Sequence, residues 1–543
     1  MYNRLGERIA KRDQNGTIHT YEYDDLGRLL HDRITTLASG VDGTVRRIST
    51  VYDVVGNVKS VTSYDNATVG SGTVLNQVRY EYDVNGLLSK DFSNPNGEAI
   101  GVFTPFTGYT YDTTKTGDVF TKSLRLKSMT YPSGKTLTYD YDAIGNVTAI
   151  KEDTQTLVSY QHSGGGNVMK TTYPQPGLTL DYDNGGLDCF NRVVDHAWTK
   201  DATNVVRIEH LYDRAGNRTI RRDRVSLANT ETYKYDQVNQ IKSLQRVFQF
   251  HVELWDYDHT GNWTQYKRTG VAENRTHNAA NEIQGIADHD QNGNMTVMPG
   301  MKAKYDAWNR LVEVFDSLDV LIATYGYNGL NQRVRKTVGS VVTTSFFNAD
   351  WQELESIASG QTTVNIWGQR YIDDLVLREK AGEPFYSLAD PNWNVVAVTD
   401  DSGTVQERMK YDAFGKVTWM TAAFATKANS DLAWNRTFTG QVLDAETGIM
   451  LYRNRYYLTH FGRFGNRDPI GYDAGDENLY RYVLNRSITS FDSFGLQNAG
   501  YAAYSYPVHK PPKPTSPLIL RLPPDKIAKS CDANEDLVEK LVP

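Results

Sequence analysis

Apolar and polar residues alternate along most of this chain, and a recurring aromatic motif interrupts the alternation. Short runs such as 136–139 and 395–398 have the character of β-strands. Helical periodicity over twelve or more residues is nearly absent before the last 47 residues. The pattern therefore predicts an all-β chain.

The motif reads Tyr-x-Tyr-Asp-x-x-Gly, followed by Asn or Arg and an apolar residue. Copies begin at Tyr21, Tyr52, Tyr80, Tyr139, Tyr212, Tyr233, Trp255, Tyr305, Tyr325 and Tyr411. Spacings of about twenty to thirty residues are typical of repeat arrays. Tyrosines two apart face one side of a strand, Asp favours a type I turn, and Gly supplies the positive φ. Each copy therefore predicts a β-hairpin, and we expect the hairpins to stack into one continuous sheet that buries the rings.

Composition narrows the class of protein. The chain has 35 tyrosines, 43 glycines and a net charge of -7, which argues against a basic nucleic-acid scaffold. Two cysteines, Cys189 and Cys531, are too few for a disulfide framework or a cysteine zinc site, and no histidine pair has metalloprotease spacing. We therefore expect no metal and no cofactor. No run of about eighteen apolar residues predicts a membrane-spanning helix.

The start of the chain lacks the apolar core of a signal peptide. Residues 2–6 already look like part of a repeat, so we expect an array that is incomplete at its N-terminal end. Any export route is therefore not visible in this sequence.

A long segment after the repeats carries the most specific signature. Its motifs are Phe438-Thr439-Gly440-Gln441, Asp444-Ala445-Glu446-Thr447-Gly448, Tyr452-Arg453, Arg455-Tyr456-Tyr457, Gly462-Arg463-Phe464, Arg467-Asp468-Pro469-Ile470-Gly471 and Asp492-Ser493-Phe494-Gly495-Leu496. This segment resembles the Rhs repeat-associated core domain. The upstream repeats resemble the YD repeats of the Rhs family, which also occur in the C component of Tc toxins and in teneurins. The resemblance implies a spiral β-sheet wound into a hollow or partial shell (1–437), a cap (438–496) and a variable Pro-rich tail (497–543).

The resemblance also implies chemistry, at most an intramolecular aspartyl autoprotease. Asp468 and Asp492 match its two carboxylates, one protonated and one ionised, and Arg467 would hold one of them charged. The bond cut would join Leu496 to Gln497.

The end of the segment departs from the family pattern. The family has prolines at two positions that Ser487 and Ser493 occupy here. Proline fixes φ, so its loss would loosen the approach to the bond. Two outcomes stay open: active self-cleavage, or a structural plug in which the aspartates only cap turns.

Three functions remain in view. The first is a shell that encloses and releases its own C-terminal segment in toxin delivery or interbacterial competition, outside the producing cell and with a secretion-apparatus protein as a partner. The alternative is a secreted or cell-surface adhesion protein without catalytic activity, whose exposed Trp255 and Trp263 bind a cell-surface glycan. The third is an orphan fragment without function. The 47-residue tail is short for a folded enzyme, so we expect a remnant, a truncated cargo or a short partner-binding peptide, with two helical turns at 534–541.

Overall fold

A computed structural model describes residues 1–101, 103–113, 115–116, 119–120, 124–164, 166–183 and 185–496. These residues form β-strands and five short 3-10 helices, and no α-helix occurs among them. The all-β prediction is confirmed. Gln497, Cys531 and the rest of the tail lie outside the described residues.

Two long antiparallel sheets, ribbon 1 and ribbon 2, make up most of the fold. Ribbon 1 begins with β1 (Ala10–Arg12), β2 (Ile18–Tyr23), β3 (Leu29–Thr36), β4 (Arg47–Tyr52), β5 (Val58–Tyr64), β6 (Val74–Tyr82), β7 (Leu88–Asn94) and β8 (Phe106–Tyr111). A separate pair follows, β9 (Lys115–Thr116) and β10 (Val119–Phe120). Ribbon 1 resumes with β11 (Leu126–Thr130), β12 (Thr136–Tyr141), β13 (Val147–Glu152), β14 (Gln155–His162), β15 (Val168–Tyr173), β16 (Leu178–Asp181), β17 (Asp195–Lys200), β18 (Thr203–Tyr212), β19 (Arg218–Asp223), β20 (Glu231–Tyr235), β21 (Ile241–Arg246), β22 (His251–Tyr257), β23 (Trp263–Arg268) and β24 (Val271–Asn274).

Ribbon 2 comes after a two-stranded hairpin, β25 (Thr276–His277) and β26 (Ile283–Gln284). Its strands are β27 (Asp288–His289), β28 (Met295–Met298), β29 (Met301–Tyr305), β30 (Leu311–Asp316), β31 (Leu321–Tyr327), β32 (Arg333–Val338), β33 (Val341–Phe347), β34 (Glu353–Ala358), β35 (Gln361–Trp367), β36 (Leu375–Lys380), β37 (Glu383–Ala389), β38 (Val395–Thr399), β39 (Val405–Tyr411), β40 (Val417–Thr421) and β41 (Thr426–Lys427). A four-stranded sheet closes the described chain: β42 (Val442–Asp444), β43 (Ile449–Tyr452), β44 (Arg455–Leu458) and β45 (Arg463–Phe464). The 3-10 helices are Leu227–Asn229, Val247–Gln249, Phe438–Gly440, Gly471–Ala474 and Val483–Asn485.

Within each ribbon a strand pairs with the next strand along the chain, so the topology is a long meander. The predicted single sheet is interrupted between β24 and β27. There Arg275 is buried, and its guanidinium donates to the carbonyls of His460 (3.0 Å) and Phe461 (3.2 Å). At this point the chain is therefore bound to the closing segment, residues 438–496, and the ladder of backbone hydrogen bonds between strands stops.

The repeat turns have the predicted chemistry. At the first full copy the Gly27 N–H donates to the Asp24 carbonyl at 3.0 Å, and Gly27 has φ +76°. The Asp24 carboxylate accepts from the N–H groups of Leu26 (3.0 Å) and Arg28 (2.9 Å). We call the turns built on this pattern, with Asp or Asn first, YD turns. Most of them lie along one edge of each ribbon. The other edge carries the opposite turns, of which those at Asp13, Asp316 and Asp400 have the same hydrogen-bond pattern.

A hydrogen bond that the sequence did not reveal joins many of the hairpins to an earlier one. The hydroxyl of the tyrosine preceding a YD turn donates to a backbone carbonyl near the start of an earlier strand, at 2.6 to 3.2 Å. Pairs of this kind are Tyr23–Arg8, Tyr52–Leu29, Tyr82–Val58, Tyr111–Leu88, Tyr141–Leu126, Tyr212–Val193, Tyr235–Arg218, Tyr327–Leu311 and Tyr411–Val395. The bonds form a ladder across the hairpins that complements the backbone pairing.

Ribbon 2 lies alongside ribbon 1, with its YD turns on the opposite-turn edge of ribbon 1. The first contact is reciprocal: the Asn15 N–H donates to Asn292 Oδ1 (3.1 Å), and the Asn292 N–H donates to Asn15 Oδ1 (3.2 Å). Farther along, Gly329 packs so closely on ribbon 1 that a Cβ there would lie 2.5 Å from Val61 Cγ1. The ribbons are thus successive windings held edge to edge.

Aromatic rings fill the space between the windings. Tyr173 of ribbon 1 has its ring centroid 5.6 Å from Tyr386 of ribbon 2. Trp255 and Trp263, which the adhesion hypothesis placed on an outer surface, are only 2% and 5% exposed. Their rings pack on Phe414 at centroid distances of 5.4 and 4.5 Å. That expectation was wrong, because the indoles belong to the core.

We predict that Tyr141→Phe loosens the local ribbon without unfolding it. The substitution removes the 2.6 Å bond to the Leu126 carbonyl and leaves that acceptor with one partner fewer. A net loss of about 1 kcal/mol is expected, which corresponds to about fivefold faster opening. Hydrogen exchange of the amides in β11 to β13 measures it. Tyr472→Phe, on an exposed ring, is the control; equal exchange in both variants would contradict the proposed role of the ladder.

Candidate functional site

The four-stranded closing sheet places one arginine at the centre of the candidate site. All four residues of β44 are buried, and Arg455 is its first residue. A buried guanidinium requires acceptors for its donors, because an unpaired buried charge is very costly. The arrangement around Arg455 shows where those acceptors come from.

Arg455 brings the two sequence-predicted aspartates together. Its Nη2 lies 2.9 Å from Asp468 Oδ2 and 3.4 Å from Asp492 Oδ2. Its Nε donates to the Gly495 carbonyl at 2.5 Å, and its Nη1 donates to the Leu479 carbonyl at 3.0 Å. One side chain thus connects both carboxylates to the backbone just before Leu496.

Each carboxylate is also fixed by its own backbone. Asp468 Oδ1 accepts from the Ile470 N–H at 3.1 Å. Asp492 Oδ1 accepts from the N–H groups of Phe494 (3.2 Å), Gly495 (2.8 Å) and Leu496 (3.3 Å). Since an ionised carboxylate only accepts hydrogen bonds, this three-donor turn suits an ionised Asp492.

The last described residues lie along the turn between β43 and β44. Arg453 donates to the Ser493 carbonyl, and Asn454 donates to the Phe494 carbonyl from its backbone N–H (3.2 Å) and its Nδ2 (3.1 Å). Gly495 has φ +64°, and a Cβ there would lie 2.5 Å from the Tyr452 carbonyl oxygen. Only glycine fits this passage. These contacts immobilise the segment at Ser493, a position where the family pattern has proline.

The structure corrects the role predicted for Arg467. Its Nη2 lies 2.7 Å from Glu282 Oε1, and its Nε donates to the Tyr480 hydroxyl at 3.2 Å. Arg467 therefore joins the closing segment to the loop between β25 and β26, and Arg455 is the arginine between the aspartates. A signal was present in the sequence: Arg455 shares a strand face with Tyr457, and a buried arginine implies a carboxylate nearby.

Burial and charge act in opposite directions on Asp468. Burial raises the pKa of Asp468 to about 6, and the Arg455 guanidinium beside it limits the rise. The carboxyl group is therefore poised to carry a proton in mildly acidic solution. Burial also lowers the pKa of Arg455 from its usual range, with both aspartates opposing that shift.

Asp468 borders a cavity of about 500 Å³. Six asparagines line it, among them Asn292, Asn309, Asn454 and Asn466, together with apolar residues. A cavity of this size and polarity accommodates several waters. The buried Asp468 carboxyl group therefore contacts Arg455 and also borders a space large enough for water.

No group of three or more His, Cys, Asp or Glu side chains suited to a metal occurs among the described residues. Within that same part of the chain, no helix has the length and apolar character needed to cross a membrane.

Comparison with known proteins identifies the repeats. The teneurin YD-shell model matches residues 186–486, just over half of the chain, and the RHS repeat model matches residues 122–156. The tRNA3(Ser)-specific nuclease WapA of Bacillus spizizenii is 29% identical over 42% of this chain and 10% of its own length. The double-stranded DNA deaminase toxin A of Burkholderia cenocepacia is 23% identical over 94% of this chain and 38% of its own.

Solved structures show the same fold. The crystal structure of TcdB2-TccC3-TEV matches with a TM-score of 0.67 at 16% identity, covering 91% of this chain and 28% of that one. The Photorhabdus luminescens Tc holotoxin pore matches with a TM-score of 0.66 at 16% identity, covering 92% of this chain and 28% of that one. The chain thus spans between a tenth and two fifths of these proteins' lengths.

We predict that Arg455→Met destabilises the closing sheet strongly. It leaves Asp468 and Asp492 buried without their shared cation, a change that costs about 3–5 kcal/mol in comparable buried pairs. Limited proteolysis after residue 437, together with the thermal unfolding midpoint, measures the effect. Arg467→Met is the matched control, since its more exposed pair with Glu282 is worth less. If both variants were equally destabilised, Arg455 would not be the residue on which the stability of the closing sheet chiefly depends.

Proposed function

This chain belongs to the teneurin YD-shell family, and on that premise we propose that it is the shell part of a toxin-delivery protein that encloses its own C-terminal segment. In this proposal residues 1–437 form the shell, 438–496 the cap and 497–543 the enclosed segment. Relatives named as a nuclease and as a deaminase toxin support a toxin context. The edge-to-edge windings support a shell.

We further propose that the cap cuts the bond between Leu496 and Gln497 once. Protonated Asp468 donates its proton to the Leu496 carbonyl oxygen while ionised Asp492 takes a proton from a water whose oxygen bonds to the carbonyl carbon. The tetrahedral intermediate, a gem-diol, then collapses: one of its hydroxyl groups returns a proton to Asp468, the C–N bond breaks, and the Gln497 nitrogen leaves as an amine after receiving a proton from Asp492. The new Leu496 carboxyl group then loses its remaining proton to solvent. The products are a Leu496 carboxylate and a free segment beginning at Gln497.

One observation carries the cleavage proposal. Arg455 contacts Asp468, Asp492 and the Gly495 carbonyl with a single guanidinium, so the acidic pair and the backbone one residue before the bond have a common anchor. A turn-capping role alone would not require both carboxylates to meet the same nitrogen. The cavity beside Asp468 supplies a place for the water.

The same proposal implies two partners. The enclosed segment is the principal partner, and a secretion-apparatus protein is the second, since the proposed site of action is outside the producing cell. The adhesion alternative relied on Trp255 and Trp263 to bind a glycan. Both side chains are buried in the core and are not accessible to a glycan.

We predict that the wild-type chain yields two fragments separated after Leu496 and that Asp468→Asn stays whole. The amide cannot donate the acidic proton, so the reaction should fall by at least a hundredfold. Intact mass spectrometry of freshly purified protein reads the result directly. Asp476→Asn is the matched control, a buried cap aspartate paired with Arg481 instead of Arg455. If the wild-type chain stays whole, or if Asp468→Asn is still cleaved, the proposed cleavage by Asp468 is wrong. The aspartates would then only cap turns in a structural plug.

The pH dependence of cleavage provides a separate prediction. Asp468, with a pKa of about 6, must be protonated to act as the acid. The single-turnover rate should therefore be highest just below pH 6, where Asp468 is protonated and Asp492 is still ionised, and fall about tenfold for each pH unit above 6. The protein is unfolded in denaturant and then diluted into buffers of different pH. The rate at which the two fragments appear is measured by gel electrophoresis. A rate that rises through pH 6 would reverse the assigned roles.

A further inference from the structure

Three consecutive residues of the turn between β43 and β44 donate hydrogen bonds to three consecutive backbone carbonyls just before Leu496. The donor–acceptor pairs are Arg453–Ser493, Asn454–Phe494 and Arg455–Gly495. The turn and the end of the cap therefore lie in a fixed register. Arg455 is anchored by its two aspartates. The other end of this contact depends on Arg453.

Arg453 is anchored by a residue of ribbon 2, Asp373, in the loop between β35 and β36. Its Nη2 lies 2.6 Å from Asp373 Oδ1, and its Nη1 lies 3.1 Å from Asp373 Oδ2. The Asp373 side chain is fully buried and also accepts from Gln441 Nε2 at 2.7 Å. Because a bidentate contact fixes the plane of a guanidinium, it also fixes the direction in which Nη1 donates to the Ser493 carbonyl.

The backbone of Arg453 supplies a second, independent observation. Its φ is +46°, in the left-handed region. That region is unfavourable for a residue with a Cβ, and glycine would adopt it without strain. Strained residues persist where the surrounding contacts hold them, and they cluster at functional sites. The contacts that hold Arg453 are those of its side chain with Asp373 and Ser493.

We propose that Arg453, oriented by Asp373, is a positioning residue that keeps the backbone before Leu496 aligned with Arg455 and its aspartates. This role rests on the proposed cleavage after Leu496, and it adds a residue of ribbon 2 to a site otherwise built from the cap. The cap would therefore be competent to cut only when it is docked on ribbon 2.

Two double variants separate positioning from the general attachment of the cap. The pair variant, Arg453→Met with Asp373→Asn, removes the ion pair without leaving a buried charge unpaired. The control variant, Arg333→Met with Asp444→Asn, removes a matched pair. That pair also joins ribbon 2 to the cap, and in both pairs the arginine side chain is 8% exposed and the aspartate 0%. Within the described chain, neither control residue hydrogen-bonds to residues 493–496.

Hydrogen exchange at Gly495 and Leu496 measures the positioning directly, in an Asp468→Asn background that keeps the chain whole. Both amides donate to the Asp492 carboxylate, at 2.8 and 3.3 Å. The pair variant should raise their exchange rates about tenfold, as expected for the loss of one charge-assisted hydrogen bond. The control variant should leave them unchanged, and the amides of β44 should stay protected in both. Equal rates in the two variants would overturn the proposal.

The cleavage rate, measured with Asp468 restored, distinguishes this role from the proposed function. The pair variant should cleave about tenfold more slowly, since a misplaced segment reacts poorly, and the control variant should cleave like the wild type. A pair variant that cleaves at the wild-type rate would overturn the positioning role and leave the cleavage proposal intact. If the wild type itself stays whole, the cleavage proposal fails, and the exchange rates still decide whether Arg453 holds the segment.

A rescue substitution excludes a merely structural role. Ser493 is the second residue of the turn that Asp492 begins, a position that suits proline, and among the described residues the Ser493 N–H donates no hydrogen bond. Proline fixes φ there, so Ser493→Pro added to the pair variant should restore slow exchange at Gly495 and most of the cleavage rate. Without such a recovery, the pair would only stabilise the cap, and the positioning role would be wrong.

Discussion

A hydrogen-bonding requirement underlies the whole structure: no repeat hairpin satisfies its own polar groups alone. The Asp142 carboxylate closes its turn by accepting backbone N–H groups, which is a local solution. The hydroxyl of Tyr141 has its acceptor in the preceding hairpin, at Leu126. Because a buried hydroxyl without a partner is costly, a hairpin with this tyrosine is stabilised by the hairpin before it. Repetition therefore produces a ribbon, and the ribbon winds until its edges meet.

In the cap, the group that needs partners is the buried positive charge of Arg455. Arg455 enters the interior at the start of a buried strand, and two carboxylates compensate it. Removing either type of charge leaves the other buried and uncompensated. The same contacts fix the backbone at Gly495. Closure of the cap and assembly of the candidate site are therefore one event, so an incompletely folded chain lacks the geometry for cleavage.

The sequence predicted the features that depend on local chemistry and missed those that depend on winding. Asp24 and Gly27 specify their turn within four residues, and that turn formed as expected. The approach of Arg455 to Asp492 depends on packing across 37 residues, and adjacency to Asp468 wrongly favoured Arg467. Trp255 was misplaced for the same reason, since the ring that covers it, Phe414, comes from the next winding.

Cleavage would change the balance of charge inside the cap. On the proposed reaction, Leu496 would gain a carboxylate one residue beyond a carbonyl already bound to Arg455. The cap would then hold a third carboxyl group beside Asp468 and Asp492, and repulsion between carboxylates would favour the protonated form of Asp468, whose pKa burial has already raised. Because the contacts at Ser493, Phe494 and Gly495 precede the bond, they would persist after it breaks. The cap would therefore stay in place while the enclosed segment loses its covalent link to it.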